Sequence, residues 1–423
     1  MSTTLSIAHI TARPILDSRG YPTLEVTLSL DDGSSHVASA PAGASTGEHE
    51  AVELRDRGRA YSGRGVQAAC AQVSGDISDT LTAAGWGSIG ELDDGLASLD
   101  GTAEYSRLGA NAVVAVSIAA ARAFAHLTGV PLHVWIAGET SSTELLPVPH
   151  FNVLNGGAHA VNDLDFQEFM IAPVGAATEE HAVQIGAEVY HALARLVADR
   201  YGSAGLGDEG GFAPAISDPR EALDLLVEAI AAAGHSPGRD QVAIALDPAA
   251  NSFYLGDGRY RALGAELGRD EMVEYYLDLA GHYPILSIED GFAEDDHAGW
   301  AAMFEAASGR IQLVGDDLFV TDADRIRDGA EHGYANAALI KPNQIGTVSQ
   351  TFAAIVTARE LEMRCMISHR SGETADTFIA DLAVGTGVGQ IKSGAPARGE
   401  RVAKYNRLTQ IEVEHRNLRY GLA

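Results

Sequence analysis

Residues 284–316 read PILSIEDGFAEDDHAGWAAMFEAASGRIQLVGD, in which two short apolar runs flank a helical stretch and stop on Glu289 and Asp316. A strand, a helix and a second strand in this order form the βα unit of a parallel sheet. Parallel strands are covered on both faces, so they read as nearly continuous apolar runs. The stretch therefore predicts a buried βα-repeat fold.

The same pattern continues on both sides of this stretch. Apolar runs stop on polar residues about every 25 to 40 residues: VAIAL at Asp247, AALI at Lys341, MI at Ser368 and His369, and GQI at Lys392. In a closed βα barrel the carboxyl ends of the strands share one face, and catalytic groups lie there. We predict an α/β fold with a TIM-like βα barrel, whose pocket gathers three carboxylates, two lysines and a His-Arg pair.

The first third of the chain has a different pattern. Residues 23–30 alternate apolar and polar side chains and meet Asp31-Asp32-Gly33, which predicts an antiparallel hairpin. Helical patterns follow at about 66–84 and 109–128, so this part reads as a small α+β domain. We predict an N-terminal capping domain over residues 1–138 and the barrel over residues 139–423.

Helices are also predicted between the barrel strands. An apolar stripe covers residues 179–200, and a second helix covers 219–233 with Asp218 as its N-cap. Further helices are expected after Thr321, Thr347 and Thr374, each capped by that threonine.

Composition narrows the class of protein. The chain has 423 residues, with 29 basic and 58 acidic side chains and a formal charge of −29, which argues against nucleic acid as the main partner but not against a small anion in a locally basic pocket. Only Cys70 and Cys365 are present, so a reducing compartment, the cytoplasm, is expected. No export signal is expected. The apolar stretch 108–129 carries Asn111, Arg122 and His126 and predicts a buried helix, not a membrane span.

Three of the strand-end residues are acids. Asp247, Glu289 and Asp316 would bring carboxylate oxygens together, and oxygen-only ligands suit Mg²⁺. The alternative is that each acid caps a helix or pairs with an arginine. That alternative is the better explanation of any single acid, but a poorer explanation of three in register.

Two strand ends carry lysines. Lys341 and Lys392 are expected to lie close together and to lower each other's pKa, which would leave one as a neutral base. A structural salt bridge is the alternative.

Two loops suit an anion. Residues 368–372, SHRSG, place a cation and several donors at a strand end, which suits phosphate. Residues 41–47, PAGASTG, are small enough to approach an anion or to close as a lid, although most such stretches are simply loops.

Two glutamates and a histidine are further candidates. Glu209 lies in GDEGG, and Glu168 follows Gln167; either glutamate is a candidate general acid if its pKa is raised by burial or by a neighbouring carboxylate. Solvated loop acids are the alternative. His159, in NGGAH, is more often a loop histidine unless the loop folds over an anion. Together, these groups suit removal of a proton beside a carboxylate and loss of a β-leaving group, through an enediolate stabilised by metal.

These motifs resemble those of the enolase (phosphopyruvate hydratase) family over nearly the whole chain, from ILDSRG at residues 15–20 to Lys404-Tyr405-Asn406. The matching motifs are GASTG, NGGxHA, QEFMI, GDEGGFAP, IED, GDDLFVT, IKPNQIGT, SHRSGET and QIKSGAP. The resemblance implies a barrel whose first units depart from strict βα alternation, behind a small α+β domain. It also implies a Mg²⁺-dependent hydro-lyase of glycolysis that dehydrates 2-phosphoglycerate to phosphoenolpyruvate.

The resemblance also implies roles for individual residues. It makes Lys341 the α-proton base, Glu209 the acid and Glu168 its partner, and it makes His159 and His369 residues that close on the substrate. The binding and metal residues that it implies are Asp247, Glu289 and Asp316 for a first Mg²⁺, Ser45 for a second Mg²⁺ that arrives with the substrate, Arg370 and Ser371 for phosphate, and Lys392 and Gln167 for the carboxylate. The expected partner is a small phosphorylated carboxylate, with no nucleic acid and no membrane, in a cytoplasmic homodimer or larger homo-oligomer.

The sequence departs from the family pattern at several positions. These are Tyr21, Ala42, Gly291, the segments 103–106 and 250–252, and Gln350 within 348–351. Ala42 and Gly291 adjoin site motifs and are expected to enlarge or loosen the pocket. Two alternative functions therefore stay open: a paralogue acting on a related substrate, such as one that forms carboxyphosphonoenolpyruvate in phosphonate biosynthesis, and a non-catalytic enolase-like binding protein.

Overall fold

A computed structural model describes residues 4–43, 47–203, 205–307 and 309–423 of the chain. The N-terminal part contains a sheet and a group of helices. Its elements are β1 (Leu5–Leu16), β2 (Pro22–Leu30), β3 (Ser35–Ser39), α1 (Gln67–Gln72), α2 (Ser78–Thr82), β4 (Gly85–Trp86), α3 (Ile89–Asp100), α4 (Ala110–Thr128) and α5 (Leu132–Thr140).

The N-terminal sheet is antiparallel and has the strand order β3-β2-β1-β4. Strands β2 and β3 form the hairpin that the alternation at residues 23–30 predicts. The predicted helix at 66–84 is present as α1 and α2, joined by a π-helical turn at Val73–Ile77. The predicted boundary after residue 138 falls inside α5, and the division at that point stays a prediction.

Helix α4 is the longest helix of this part. It is long and apolar enough to cross a membrane by length and composition, but 83% of its apolar window is buried inside the fold. One face of α4 packs on β2 and β3. It is the central core helix of the N-terminal part, as the sequence predicts.

The remainder of the chain forms a barrel with helices around it. Its elements are β5 (Val148–Asn155), β6 (Glu168–Ala172), α6 (Glu179–Tyr201), β7 (Gly205–Leu206), β8 (Phe212–Ala213), α7 (Pro219–Ala232), β9 (Ala243–Asp247), β10 (Tyr254–Gly256), β11 (Arg259–Ala262), β12 (Ala265–Gly268), α8 (Arg269–His282), β13 (Ile285–Glu289), α9 (His297–Ala307), β14 (Gln312–Gly315), α10 (Ala323–His332), β15 (Ala337–Ile340), α11 (Pro342–Ile345), α12 (Val348–Glu360), β16 (Arg364–Ser368), α13 (Phe378–Thr386), β17 (Gln390–Lys392) and α14 (Gly399–Glu414).

The barrel closes with eight strands. They follow the order β5, β6, β9, β13, β14, β15, β16 and β17, and β17 pairs with β5 to complete the ring. Strand β6 runs antiparallel to both β5 and β9, whereas the pairs from β9 to β17 are parallel. The predicted βα barrel is confirmed, including the irregular first units that the resemblance implies.

The barrel interior is filled by side chains near the amino ends of the strands. Val148, Ala172, Ala243 and Leu286 form one buried layer, and Tyr420 and Leu422 of the C-terminal segment pack against it. Such a filled interior leaves the opposite, carboxyl-end face for chemistry.

Two of the three predicted threonine caps are wrong. Helix α12 does begin on Thr347, but α10 begins on Asp322, whose carboxylate accepts hydrogen bonds from the backbone N–H groups of Asp324 and Arg325. Helix α13 follows Thr377 and not Thr374. Asp322 competes better than Thr321 because a carboxylate accepts two N–H groups at once and favours the positive end of a helix.

Candidate active site

The carboxyl ends of the barrel strands surround a small cavity of about 30 Å³. Almost all of the residues singled out from the sequence lie around it. Its lining includes His159, Gln167, Glu168, Glu209, Asp247, Asp316, Lys341, His369, Arg370, Ser371 and Lys392. Glu289 lies against Lys392, and Ser45 lies outside the residues that the structure describes.

Lys392 is the centre of a group of carboxylates. It is the last residue of β17, and its Nζ lies 2.7 Å from Oε1 of Glu289, 3.3 Å from Oε2 of Glu168 and 3.8 Å from Oδ2 of Asp247. Burial would lower the pKa of Lys392, but these carboxylates outweigh it and raise the pKa well above its ordinary value. The ammonium group is therefore charged.

Lys341 forms a second ion pair. It follows β15, and its Nζ donates to Oδ2 of Asp316. Burial and the neighbouring cations Arg370 and Lys392 lower the pKa of Lys341, yet Asp316 outweighs them and the net pKa is raised. As predicted, Lys392 lowers the pKa of Lys341. The net pKa of each lysine is nevertheless raised, not lowered. Both lysines form salt bridges, as the alternative interpretation stated.

The oxygen donors at these strand ends fit a hard cation such as Mg²⁺. Burial and neighbouring carboxylates outweigh Lys392 and raise the pKa of Asp247 to about 7 and that of Glu289 to about 8. Oε2 of Glu289 is buried and has no hydrogen-bond partner among the described residues. Buried, crowded carboxylate oxygens are stabilised by a hard divalent cation such as Mg²⁺, which prefers oxygen ligands.

The predicted triad is not the tightest acidic group. Among the described residues, ligand atoms within 4.8 Å of one another occur in His159, Glu168 and Glu209, and in Asp290, Asp316 and Asp317. Asp290 accepts the backbone N–H groups of Asp316 and Asp317 at 2.9 and 3.0 Å, so it shapes the loop after β14. Asp247 and Glu289 instead lie around the ammonium group of Lys392.

Glu168 and Glu209 form a buried pair beside His159. Nδ1 of His159 lies 3.8 Å from Glu168 and 3.9 Å from Glu209. Burial and the neighbouring Glu209 raise the pKa of Glu168 to about 8, so Glu168 holds a proton at neutral pH. Burial alone would also raise the pKa of Glu209, but His369, His159 and Arg401 outweigh it and lower that pKa. The two glutamates are thus placed to hold and pass a proton.

His369 is oriented by Arg401. The Arg401 guanidinium donates to Nδ1 of His369, so Nε2 carries the proton and lies 3.1 Å from Oε2 of Glu209. Burial lowers the pKa of His369 to about 4, so the ring is neutral. Arg401 is fully buried and also donates to the carbonyls of Arg370 and Ser371, both at 2.6 Å. It fixes the loop that follows β16.

Arg370 supplies a fixed positive charge. Its Nη1 and Nη2 donate to the two carboxylate oxygens of Glu50 at 2.8 and 3.2 Å, and both side chains are buried. Nη1 also lies 3.3 Å from Oδ1 of Asn343. Glu50 belongs to the segment just after the predicted lid, so the N-terminal part of the chain reaches the phosphate-type site directly.

Sequence reasoning missed several residues of this site. Asn152 donates to Oε2 of Glu209 at 2.9 Å, and Gln344 donates to Asp316 at 2.9 Å and to Glu50 at 3.3 Å. Asn152 is one of three polar residues, with His150 and Asn155, in the buried strand β5, a signal that was available. Gln344 lies in the motif IKPNQIGT beside Lys341, which was a second available signal, whereas Arg401 lies in α14, where nothing in the sequence marks it as a site residue.

The loosening expected from Ala42 and Gly291 stays a prediction, but the structure shows where both residues lie. Neither residue is among the described residues that line the cavity. Ala42 pairs with Gly372 through two backbone hydrogen bonds of 2.7 and 2.9 Å. A Cβ at Gly291 would lie 3.2 Å from Cγ2 of Ile288, so this glycine permits close packing behind the strand.

Comparison with known proteins gives consistent matches over the whole chain. The family model "Enolase, N-terminal domain" matches residues 7–136, and "Enolase, C-terminal TIM barrel domain" matches residues 143–419. A curated protein named Enolase, from Rubrobacter xylanophilus, is 52% identical over 409 residues, which is 96% of this chain and 94% of that protein.

Proposed function

The chain belongs to the enolase family of lyases, and on this premise we propose that it dehydrates 2-phosphoglycerate to phosphoenolpyruvate. The observation that carries the proposal is the single cavity that Lys341, Glu168, Glu209 and Arg370 share. A base, an acid pair and a phosphate-type cation are the groups that this elimination needs.

Lys341 is the base that takes the α proton in this proposal, and it acts in its neutral form, so its Nζ first loses the proton that the ion pair with Asp316 stabilises. That loss is favoured when Asp316 holds Mg²⁺, because a nearby cation lowers the pKa of a lysine. The backbone N–H of Lys341 donates to Thr321 Oγ1 at 2.8 Å, which fixes the start of the side chain. Glu168 holds the proton and Glu209 is ionised, so Glu209 donates to the leaving hydroxyl group a proton that Glu168 passes to it. His159 and His369 lie against this pair and position it.

Arg370 and Ser371 bind the phosphate, and Lys392 and Gln167 bind the carboxylate. A fixed guanidinium group pairs well with phosphate oxygens. Asp247, Glu289 and Asp316 would hold one Mg²⁺, and a second, with Ser45 among its ligands, would arrive with the substrate. When bound, Mg²⁺ supplies positive charge against the enediolate.

The usual substrate of the family is favoured over a modified one. The departures at Ala42 and Gly291 lie in packed backbone contacts outside the described lining of the cavity, so they give no reason to expect a different substrate. The alternatives, carboxyphosphonoenolpyruvate formation and non-catalytic binding, have no supporting observation.

The protein is further proposed to act in glycolysis in the cytoplasm, as a homodimer or larger homo-oligomer. Cys70 and Cys365 are both free and buried, which suits a reducing compartment. Light scattering of the purified protein measures the number of chains in the oligomer.

The activity is tested by following the ultraviolet absorbance of phosphoenolpyruvate formed from 2-phosphoglycerate with Mg²⁺. Lys341→Ala and Glu209→Gln should each lower kcat by about 10²- to 10⁴-fold, while the surface variant Arg195→Ala retains activity. Absence of turnover by folded wild-type protein would overturn the proposal.

A further inference from the structure

A second polar cavity lies at the opposite end of the barrel from the catalytic cavity. It has a volume of about 280 Å³ and opens beside the amino ends of β13, β14 and β16, where Leu286 and Gln312 line it. Strand β14 has four residues, so the two ends of this strand lie roughly 13 Å apart.

An amide pair separates the two cavities inside the barrel. Gln312 and Gln390 exchange two hydrogen bonds of 2.8 and 3.0 Å, and both side chains are buried. This reciprocal pair satisfies both amides, so the floor of the lower cavity is polar and fixed. The cavity is therefore not an extension of the catalytic site.

Three arginines line this lower cavity, each from a different connection. Arg239 precedes β9, Arg310 precedes β14, and Arg364 begins β16. Arg239 donates to the carbonyl of Arg310, and Arg310 lies 3.4 Å from the carbonyl of Ala306. These bonds use backbone oxygens and leave the positive charges unneutralised.

The three arginines lack carboxylate partners within the described ranges. None of them forms an ion pair there, in contrast to Arg122, Arg370 and Arg407 elsewhere in the fold. Among the described residues, Glu362 is the one acid that lines the cavity. In a chain of net charge −29, three unpaired guanidinium groups around one cavity are a local exception.

The backbone that carries the arginines is held in place. The backbone N–H of Arg364 donates to the carbonyl of Asn336 at 3.0 Å. Oδ1 of Asn336 accepts the N–H of Leu313 at 2.7 Å, which ties the start of β16 to β14. The backbone from which Arg364 projects is thus held before a ligand arrives, which removes part of the entropy cost of binding.

We propose that this cavity binds an anion with a diphosphate or triphosphate group. Three guanidinium groups and one carboxylate leave a local charge of about +2, which calls for a ligand with at least two negative charges. Guanidinium groups bind phosphate oxygens through paired N–H donors, whereas a lone monoanion would leave charge unmatched. This site goes beyond the proposed catalytic function and uses none of its residues.

The test is calorimetric titration of the whole protein with inorganic pyrophosphate in metal-free buffer. Arg370→Ala removes the phosphate-type cation of the catalytic cavity, and binding should persist in this variant with one site per chain. In the double variant that carries both Arg370→Ala and Arg364→Ala, the affinity for pyrophosphate should fall at least tenfold. Arg239→Ala, in a loop, repeats the test without altering a strand, and Arg195→Ala is the matched surface control.

The outcomes separate the possible ligands and sites. Binding of ADP more tightly than pyrophosphate would support a nucleotide as the ligand, and the reverse order would support an inorganic or non-nucleotide polyphosphate. Loss of all binding in Arg370→Ala, or unchanged binding in both Arg364→Ala and Arg239→Ala, would overturn the proposal.

Discussion

Arg401 shows how one side chain outside the reacting set controls the chemistry of another. Its guanidinium group donates to Nδ1 of His369 and to two carbonyls of the loop after β16. Because Nδ1 accepts this bond, Nε2 presents a proton to Glu209. Arg401 is a positioning residue, since it acts on Glu209 only through His369.

Replacing Arg401 with lysine should lower kcat about tenfold or more, because one ammonium group cannot serve three acceptors in fixed directions. The pH profile of kcat should also shift, since either tautomer of His369 becomes available. Steady-state kinetics across pH, with Arg416→Lys as the exposed control, measure this. An unchanged pH profile with a lower Tm would indicate a purely structural role.

Glu179 gives a second prediction at the residue scale. It is fully buried in the first turn of α6, and within the described ranges neither of its carboxylate oxygens has a hydrogen-bond partner. Burial, with Glu412 nearby, raises the pKa of Glu179 well above its ordinary value. The folded state thus favours the neutral acid, and stability that is present below the unfolded pKa is lost as pH rises towards the folded pKa.

Glu179→Gln removes this pH-dependent loss. Its Tm should match that of the wild type near pH 4 and exceed it by about 2 °C or more at pH 8. Glu180→Gln, on the exposed side of the same turn, should give no such difference. Equal Tm differences at both pH values would refute the assignment.

At the scale of elements, the start of α10 depends on one carboxylate. Asp322 accepts two backbone N–H groups at 2.8 and 2.9 Å. Asp322→Ala should lower the free energy of unfolding by about 1 kcal/mol. Asp324→Ala, two residues later and largely exposed, should change it by less than about 0.5 kcal/mol. Urea denaturation measures both.

The elements of the barrel were largely predictable because their signal is local. Each apolar run that was singled out between residues 242 and 392 contains a strand. The polar residue that ends each of these runs lies at or beside the carboxyl-end cavity. The reversed direction of β6 was not predicted, because periodicity carries no strand direction. The family resemblance implied only that the first units of the barrel depart from strict βα alternation.

Cap identity and ion pairing were harder to predict, since both depend on neighbours distant in sequence. Thr321 is not a cap because its hydroxyl donates to Gln344 at 2.8 Å and accepts the N–H of Lys341. The raised pKa of Lys341 depends on Asp316, which is 25 residues away in sequence. Only the closed barrel defines these contacts.

At the scale of the whole molecule, the N-terminal part is joined to the barrel by polar contacts. Arg122 of α4 binds both carboxylate oxygens of Asp376 at 2.8 and 2.7 Å. Burial would raise the pKa of Asp376, but Arg122 outweighs it and the pKa is lowered. The pair therefore stabilises the fold above the unfolded pKa of the carboxyl group, and this stability is lost as pH falls through its folded pKa.

Arg122→Ala should lower the free energy of unfolding by about 3 kcal/mol at pH 7, since it leaves a buried carboxylate without its partner. The difference from the wild type should shrink below pH 4. Thermal unfolding at several pH values measures it, and Arg195→Ala serves as the surface control. A difference that does not depend on pH would contradict the ionic explanation.

The Gln312–Gln390 pair and the apolar layer beneath it determine how substrate and product enter and leave the enzyme. The barrel is filled at its amino end, so a small molecule that enters from the carboxyl-end face finds no second exit through the described barrel interior. Substrate and product therefore use the same opening. Product must leave through it before the next substrate molecule can enter.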